Sequence, residues 1–172
     1  MSDESPMDVF IGVASELVPD AVIAESRAIG SQDSLVRRSY VRAVFALVEG
    51  LSYSIRYVAE GAPHLSPDAR RRAREAARAE KKAAKDDDTG AFASAVRVAF
   101  AAFAAASGCR NPLVPSGTGW ESFVSAIAVR HRITHPRSRS DCLISDEDFA
   151  LVQRAHHWYQ DVETALLQNV QH

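Results

Sequence analysis

The sequence predicts an all-α protein, a helical bundle of about five or six helices, and three observations carry that prediction. Apolar residues recur at alternating spacings of three and four along several segments, as on one face of a helix. The period-two alternation of a half-buried strand is missing. Serine-proline pairs and glycines stand between these segments, where helix starts and stops need them.

Taken in order, a short helix opens near Pro6 with Val9, Phe10, Val13 and Leu17 on one face, and Pro19 is expected to interrupt it. A short turn then runs to Gly30, which suits a helix stop. Residues 1–30 are read as an N-terminal helical extension, and 31–172 as the bundle of a single compact domain. Ser31 can cap the next helix, because a serine oxygen accepts an orphan backbone N–H. Its stripe is Val41, Val44, Val48, Leu51, Ile55 and Val58, with Arg42, Glu49, Tyr53 and Arg56 beside it; Gly61 and Pro63 end it.

Ser66-Pro67 is an N-cap followed by proline at the first helical position. The helix it opens, to about Lys85, has only alanines for an apolar face and is expected to be exposed and loosely docked. Asp86-Asp87-Asp88 ends it and offers a cap to the next helix, which turns Phe92, Val96, Ala99, Phe100 and Phe103 inward and stops at Gly108. A loop from Cys109 to Gly119 leads to a helix from about Trp120 to Thr134. Its core face begins Trp120, Phe123, Val124, Ile127. The last helix starts at Ser145, with Asp146, Glu147 and Asp148 where the macrodipole favours negative charge. Its core stripe is Phe149, Val152, Ala155, Tyr159, Val162 and Leu166.

At 172 residues the chain is long enough for one self-sufficient core. Its net charge of −2 does not announce a polyanion partner, but charge is unevenly placed. The first third is acidic, while Arg70–Lys85 and Arg130–Arg139 are basic, a pattern that can steer a charged ligand locally. Cys109 and Cys142 match no metal spacing and read as free thiols. The start is acidic where a signal peptide needs basic residues. The most apolar run, Ala91–Ser107, is too short to span a bilayer and carries Arg97. A soluble, cytoplasmic chain with no membrane partner is expected. No Gly-rich phosphate loop and no catalytic serine or cysteine motif is present, and no cofactor is expected.

The chemistry-bearing residues follow Ile127. Three and four positions on come Arg130 and His131, where an amphipathic helix would carry apolar side chains; Arg132 is expected to point the other way. His135 lies one turn further, and Pro136 disfavours the α conformation there, so the helix should fray and leave the ring at its end. An arginine, always charged and fork-shaped, can stabilise a phosphate under attack. A histidine suits proton transfer at neutral pH.

The stretch Arg130-His131-Arg132-Ile133-Thr134-His135 resembles the signature of the HEPN family: an arginine, a polar residue, then a histidine a few positions on, near the end of a late bundle helix. The resemblance extends to the order of elements over roughly residues 31–168. It implies a HEPN-like fold and a metal-independent endoribonuclease, with toxin or defence effector among its roles. RNA would be the substrate, a homodimer the assembly and a cognate antitoxin a partner. Arg130 would clamp the phosphate, His135 would act as general base or acid, and His131 would position. Glu49 or Tyr53 is a candidate to orient Arg130, and Arg132, Arg137 and Arg139 are candidates to touch RNA.

Other readings stand beside this one. Arg130 and Glu49 could form a structural ion pair. His131 and His135 could hold zinc with His156 or His157 as third ligand, but no acidic residue follows His131 as a metalloprotease helix requires. No metal is therefore expected, and His156 and His157 read as partly buried helix residues. The Arg70–Lys85 run reads as a solvated face. A non-catalytic HEPN-like nucleotide-binding or protein-interaction module is the functional alternative.

Overall fold

In a computed structural model the chain is described over residues 5–61, 65–87 and 90–170. It is a helical bundle with six α-helices among these residues: α1 (Pro6–Ala28), α2 (Ser34–Gly61), α3 (Pro67–Asp86), α4 (Ala91–Ser107), α5 (Gly117–Thr134) and α6 (Asp146–Val170), with one 3-10 turn at Ser140–Cys142. Pro63 and Asp88, expected at helix ends, lie outside the described residues, as do the acidic Asp3 and Glu4. None of the described helices is long and apolar enough to cross a membrane.

The chain divides into two compact units. Unit 1 takes Met1–Ala14, Glu49–Pro115 and Asp161–His172; unit 2 takes Ser15–Val48 and Ser116–Gln160.

The helix starts follow capping chemistry. Ser5 and Asp8 cap α1 reciprocally: Ser5 Oγ accepts from Asp8 N (3.2 Å) and the Asp8 carboxylate accepts from Ser5 N (3.1 Å). Contrary to expectation, Pro19 does not interrupt α1. It is exposed, so water can offset the loss of one ladder bond that breaks helices elsewhere. The expected cap of α2 is also corrected. Asp33 holds that place, its Oδ1 accepting from Leu35 N at 2.8 Å, while Ser31 Oγ accepts from Asp33 N just outside the helix. Ser66 caps α3 as expected, accepting from Ala69 N at 3.1 Å. Ser145 and Asp148 form a second reciprocal box at the start of α6, with both bonds at 3.1 Å.

In unit 1 the buried side chains are Leu51, Ile55 and Val58 of α2, Val96, Ala99, Phe100 and Phe103 of α4, and Leu166 of α6. Each fully buried large side chain contributes about 1.5–3 kcal/mol. The expectation that α3 is loosely docked is corrected. Its alanines Ala69, Ala73 and Ala84 are buried, because small side chains let two helices approach closely, and α3 packs along α4. A polar anchor adds to this: Arg97, 3% exposed, reaches from α4 to Glu80 and to Asp87, the latter at 2.9 Å. Helix α4 stops at Gly108, whose φ of +70° is open to glycine, and Cys109 N closes back on Ala104 O at 3.0 Å.

In unit 2 the core holds Tyr40, Val41, Val44 and Val48 of α2, Trp120, Phe123, Ala126, Val129 and Ile133 of α5, and Phe149, Val152, Ala155 and Tyr159 of α6. The face of α5 differs from the expected one. Val124 is 41% exposed, and Ala126, Val129 and Ile133 carry the stripe onward instead.

Candidate functional site

The C-terminal end of α5 is where the sequence places its chemistry. Helix α5 begins at Gly117, three residues before Trp120, and ends at Thr134. His135 is its C-cap, with φ −126° and ψ 61°. This φ lies outside the α region, which a following proline disfavours, so the helix ends here and the His135 ring stands at its end, as expected. The backbone N–H of His135 still donates to His131 O at 3.0 Å, and Thr134 Oγ1 donates to Arg130 O at 2.7 Å.

The three motif residues do not terminate the core stripe as the helical spacing implied. Val129 and Ile133 occupy that line, while Arg130 is half-buried and His131 and His135 are exposed. The two histidines continue an exposed line that begins with Val124 and Ala128. These positions, 124, 128, 131 and 135, are successive steps of four, three and four and so share one face.

Arg132 also departs from expectation. Rather than turning away, its guanidinium donates to Asp148 Oδ2 (2.6 Å) and Leu143 O (3.1 Å). It ties the end of α5 to the start of α6. Arg137 and Arg139 are exposed in the loop between them. That loop is built on Asp141, whose carboxylate accepts from the backbone N–H of Arg137 (2.7 Å) and Ser138 (2.9 Å). The Arg137 amide, with Ser138 behind it, holds the Asp141 carboxyl below its usual range.

The loop is clamped by two arginines that the sequence did not single out. Arg37, 4% exposed, donates to Ser31 O (2.6 Å), Ile144 O (3.0 Å) and Asp146 Oδ1 (2.5 Å), with its guanidinium over the Phe149 ring. Arg38 donates to Cys142 O at 2.6 Å. Nothing local announces this, since Arg37 and Ile144 are far apart in sequence; only the charge of Asp146 hinted at a partner. The two supporting candidates belong to unit 1. Glu49 is exposed, and Tyr53, 68% exposed, stacks on Tyr57 with ring planes 4° apart.

His156 and His157 do not join His131 and His135. Among the described residues they form a group with Glu25, their ligand atoms all within 4.8 Å of one another. Reading both as partly buried is corrected: His156 is fully buried and His157 is exposed. Burial pushes the His156 imidazole below its usual pKa, against the opposing pull of Glu25. Burial, then the charge and hydrogen bond of Glu25, push the Tyr40 phenol well above its usual value.

Unit 1 carries a basic groove of about 470 Å³, lined in part by Arg56, Arg78, Lys81 and Ser94. Arg74 and Glu60 line an adjoining recess that shares Arg56 and Arg78. The Arg70–Lys85 run thus supplies a concave surface as well as a solvated face. No protein-family model, curated protein or solved structure matches this chain.

Proposed function

We propose that this chain is a HEPN-type, metal-independent endoribonuclease that acts through Arg130 and His135. The observation that carries the reading is the end of α5, where Arg130, His131 and His135 stand within about one and a half turns. Both histidines are exposed, and Arg137 and Arg139 are exposed in the loop that follows.

The chemistry is a transfer within the RNA strand. A histidine takes the proton of a 2′-hydroxyl, the oxygen bonds to the adjacent phosphorus, and the bond to the 5′-oxygen breaks. A second proton goes to that leaving oxygen. The products are a cyclic phosphate and a 5′-hydroxyl. Arg130 meets the charge that grows on the phosphate, and His131 positions the strand. One copy offers one His135, so an isologous dimer with the two α5 helices near its axis supplies the second proton-transfer group.

The test is cleavage of a mixed RNA in excess chelator. Wild type is expected to cleave, and His135→Ala and Arg130→Ala are expected to lose activity while keeping their far-ultraviolet dichroism. Undiminished cleavage by both variants would reject these residues as the site. Toxicity on expression that disappears in His135→Ala is the cellular counterpart, and an antitoxin would be the partner that suppresses it.

The basic groove of unit 1 favours a second reading, a non-catalytic nucleotide-binding module. Retained RNA binding with no cleavage by wild type, and loss of binding in Arg78→Glu, would decide for it.

A further inference from the structure

A second constellation lies in unit 2, away from the motif in sequence and needing nothing from the ribonuclease reading. Glu25 of α1 faces His156 and His157 of α6. Its Oε2 is 3.6 Å from His156 Nδ1, and its Oε1 is 3.2 Å from His157 Nε2. Gln153 donates to Glu25 Oε1 at 3.0 Å, and the Tyr40 hydroxyl lies 3.2 Å from His156 Nδ1.

These distances have a chemical meaning. Zinc ligand atoms sit about 2.0–2.2 Å from the ion, which puts neighbouring corners of a tetrahedron roughly 3.4 Å apart. The contacts of 3.6 and 3.2 Å run to the two different oxygens of the Glu25 carboxylate, and with one atom taken from each residue the three ligand atoms lie within 4.8 Å of one another, wider than the closed set. A turn of the His157 side chain, which is 59% exposed, would draw the set together around an ion.

His156 is the buried member of the set. It is fully buried, and its Nε2 has no hydrogen-bond partner among the described residues. A buried imidazole nitrogen without a partner calls for an explanation. Nothing on that side fixes the ring's proton, so the ring can carry it on Nε2 and turn the Nδ1 lone pair to Glu25. In that tautomer the Nδ1 lone pair and the Glu25 carboxylate are two donor groups that one cation can bridge. Tyr40 and Gln153 then serve as outer partners of the carboxylate, the kind of support that metal ligands require.

We infer that Glu25, His156 and His157 bind a divalent transition ion of the zinc type, with the fourth position open to solvent beside His157. Two imidazoles and one carboxylate are a ligand set that zinc accepts, with the open position typical of sites that keep a water. The ion would staple α1 to α6 within unit 2.

The experiment uses the full chain, stripped with chelator and titrated with Zn²⁺ by calorimetry and with Co²⁺ by visible absorption. One equivalent is expected, with four-coordinate cobalt bands. The melting temperature should rise by roughly 5–10 °C at a hundredfold excess over Kd. His157→Ala removes an exposed ligand and should fold; it and Glu25→Gln should weaken binding beyond the roughly 10–100-fold that an outer partner costs. Tyr40→Phe should fall within that range. The double variant His131→Ala/His135→Ala should bind as wild type does. No stoichiometric binding to wild type, wild-type binding by His157→Ala, or loss that follows His131 and His135 instead would each overturn the assignment.

Discussion

Gly119 and Trp158 occupy each other's space: a Cβ on residue 119 would overlap the indole Cδ1 and lie 2.7 Å from its Cγ and Nε1. The absent side chain lets α6 bring Trp158 onto the first turn of α5, where its ring meets Trp120 at 5.9 Å and Phe123 at 5.3 Å between centroids. Gly119→Ala would gain about 1 kcal/mol of helix propensity but must displace the root of a ring held by two others. Overpacking of this kind costs about 1–3 kcal/mol, and the severity of the overlap sets the expectation at the upper end. Denaturant unfolding measures it; a variant as stable as wild type would mean that the indole does not rest there.

Such contacts mark the boundary of what was legible beforehand. The stripe Val41 to Val58 is buried as read, and the stripe of α6 is buried at Phe149, Val152, Ala155, Tyr159 and Leu166, because three-four periodicity reports a helix face directly. Ser66-Pro67 and His135-Pro136 were legible because capping and proline sterics are local. Pro19 was not, since solvent exposure decides whether a helix tolerates proline. The turn of α5 was misread by about one position, because Val124 and Ala126 compete for the core and the alanine wins. Arg37, Arg132 and the meeting of Glu25 with His156 depend on partners far apart in sequence, which no spacing reveals.

Arg132 is expected to behave as a structural residue. Its side chain is 34% exposed and that of Asp148 20%. That places the pair between exposed pairs, worth up to about 1 kcal/mol, and buried ones, whose breakage costs about 3–5 kcal/mol. Arg132→Ala should therefore destabilise by about 1–3 kcal/mol. If the residue instead served RNA, the variant would keep its stability and lose affinity, and unfolding and binding measured together distinguish the two.

The α3–α4 anchor gives an asymmetric expectation. Glu80→Ala combined with Asp87→Ala removes both of these carboxylates from the nearly inaccessible Arg97 and should cost about 3 kcal/mol. Arg97→Met removes the charge itself and leaves partners that are 25% and 58% exposed, so stability should change by no more than about 1 kcal/mol. Thermal melts of both variants check the order; equal losses would show that the guanidinium is not a costly buried charge.

Acid should loosen the loop after α5. The hydrogen bond from Arg37, then that from Gln32, hold the Asp146 carboxyl below its ordinary value, and Asp141 is lowered by the Arg137 amide. A depressed carboxyl contributes stability that is complete above the unfolded value of about 3.9 and is lost as pH falls through the folded one. The urea midpoint should decline below about pH 4, and Asp146→Asn should flatten part of that decline. A slope unchanged in Asp146→Asn would remove Arg37–Asp146 from the acid response.

The dimer proposed for the ribonuclease makes the final prediction. Val124, Ala128, His131 and His135 share the exposed face of α5, so a copy docking there would cover the apolar pair and bring both His135 rings to one groove. Val124→Asp places an unpaired charge in that contact and should weaken self-association at least about tenfold. A rival face exists on α1, where Val18, Val22 and Ile23 are exposed. Apolar area alone would favour it, but the motif residues Arg130, His131 and His135 stand on α5 and not on α1. Light scattering across micromolar concentrations, on Val124→Asp and Val22→Asp in parallel, separates the two faces. Dissociation caused by Val22→Asp and not by Val124→Asp would move the axis away from His135, and the two-histidine mechanism would lose its second proton-transfer group.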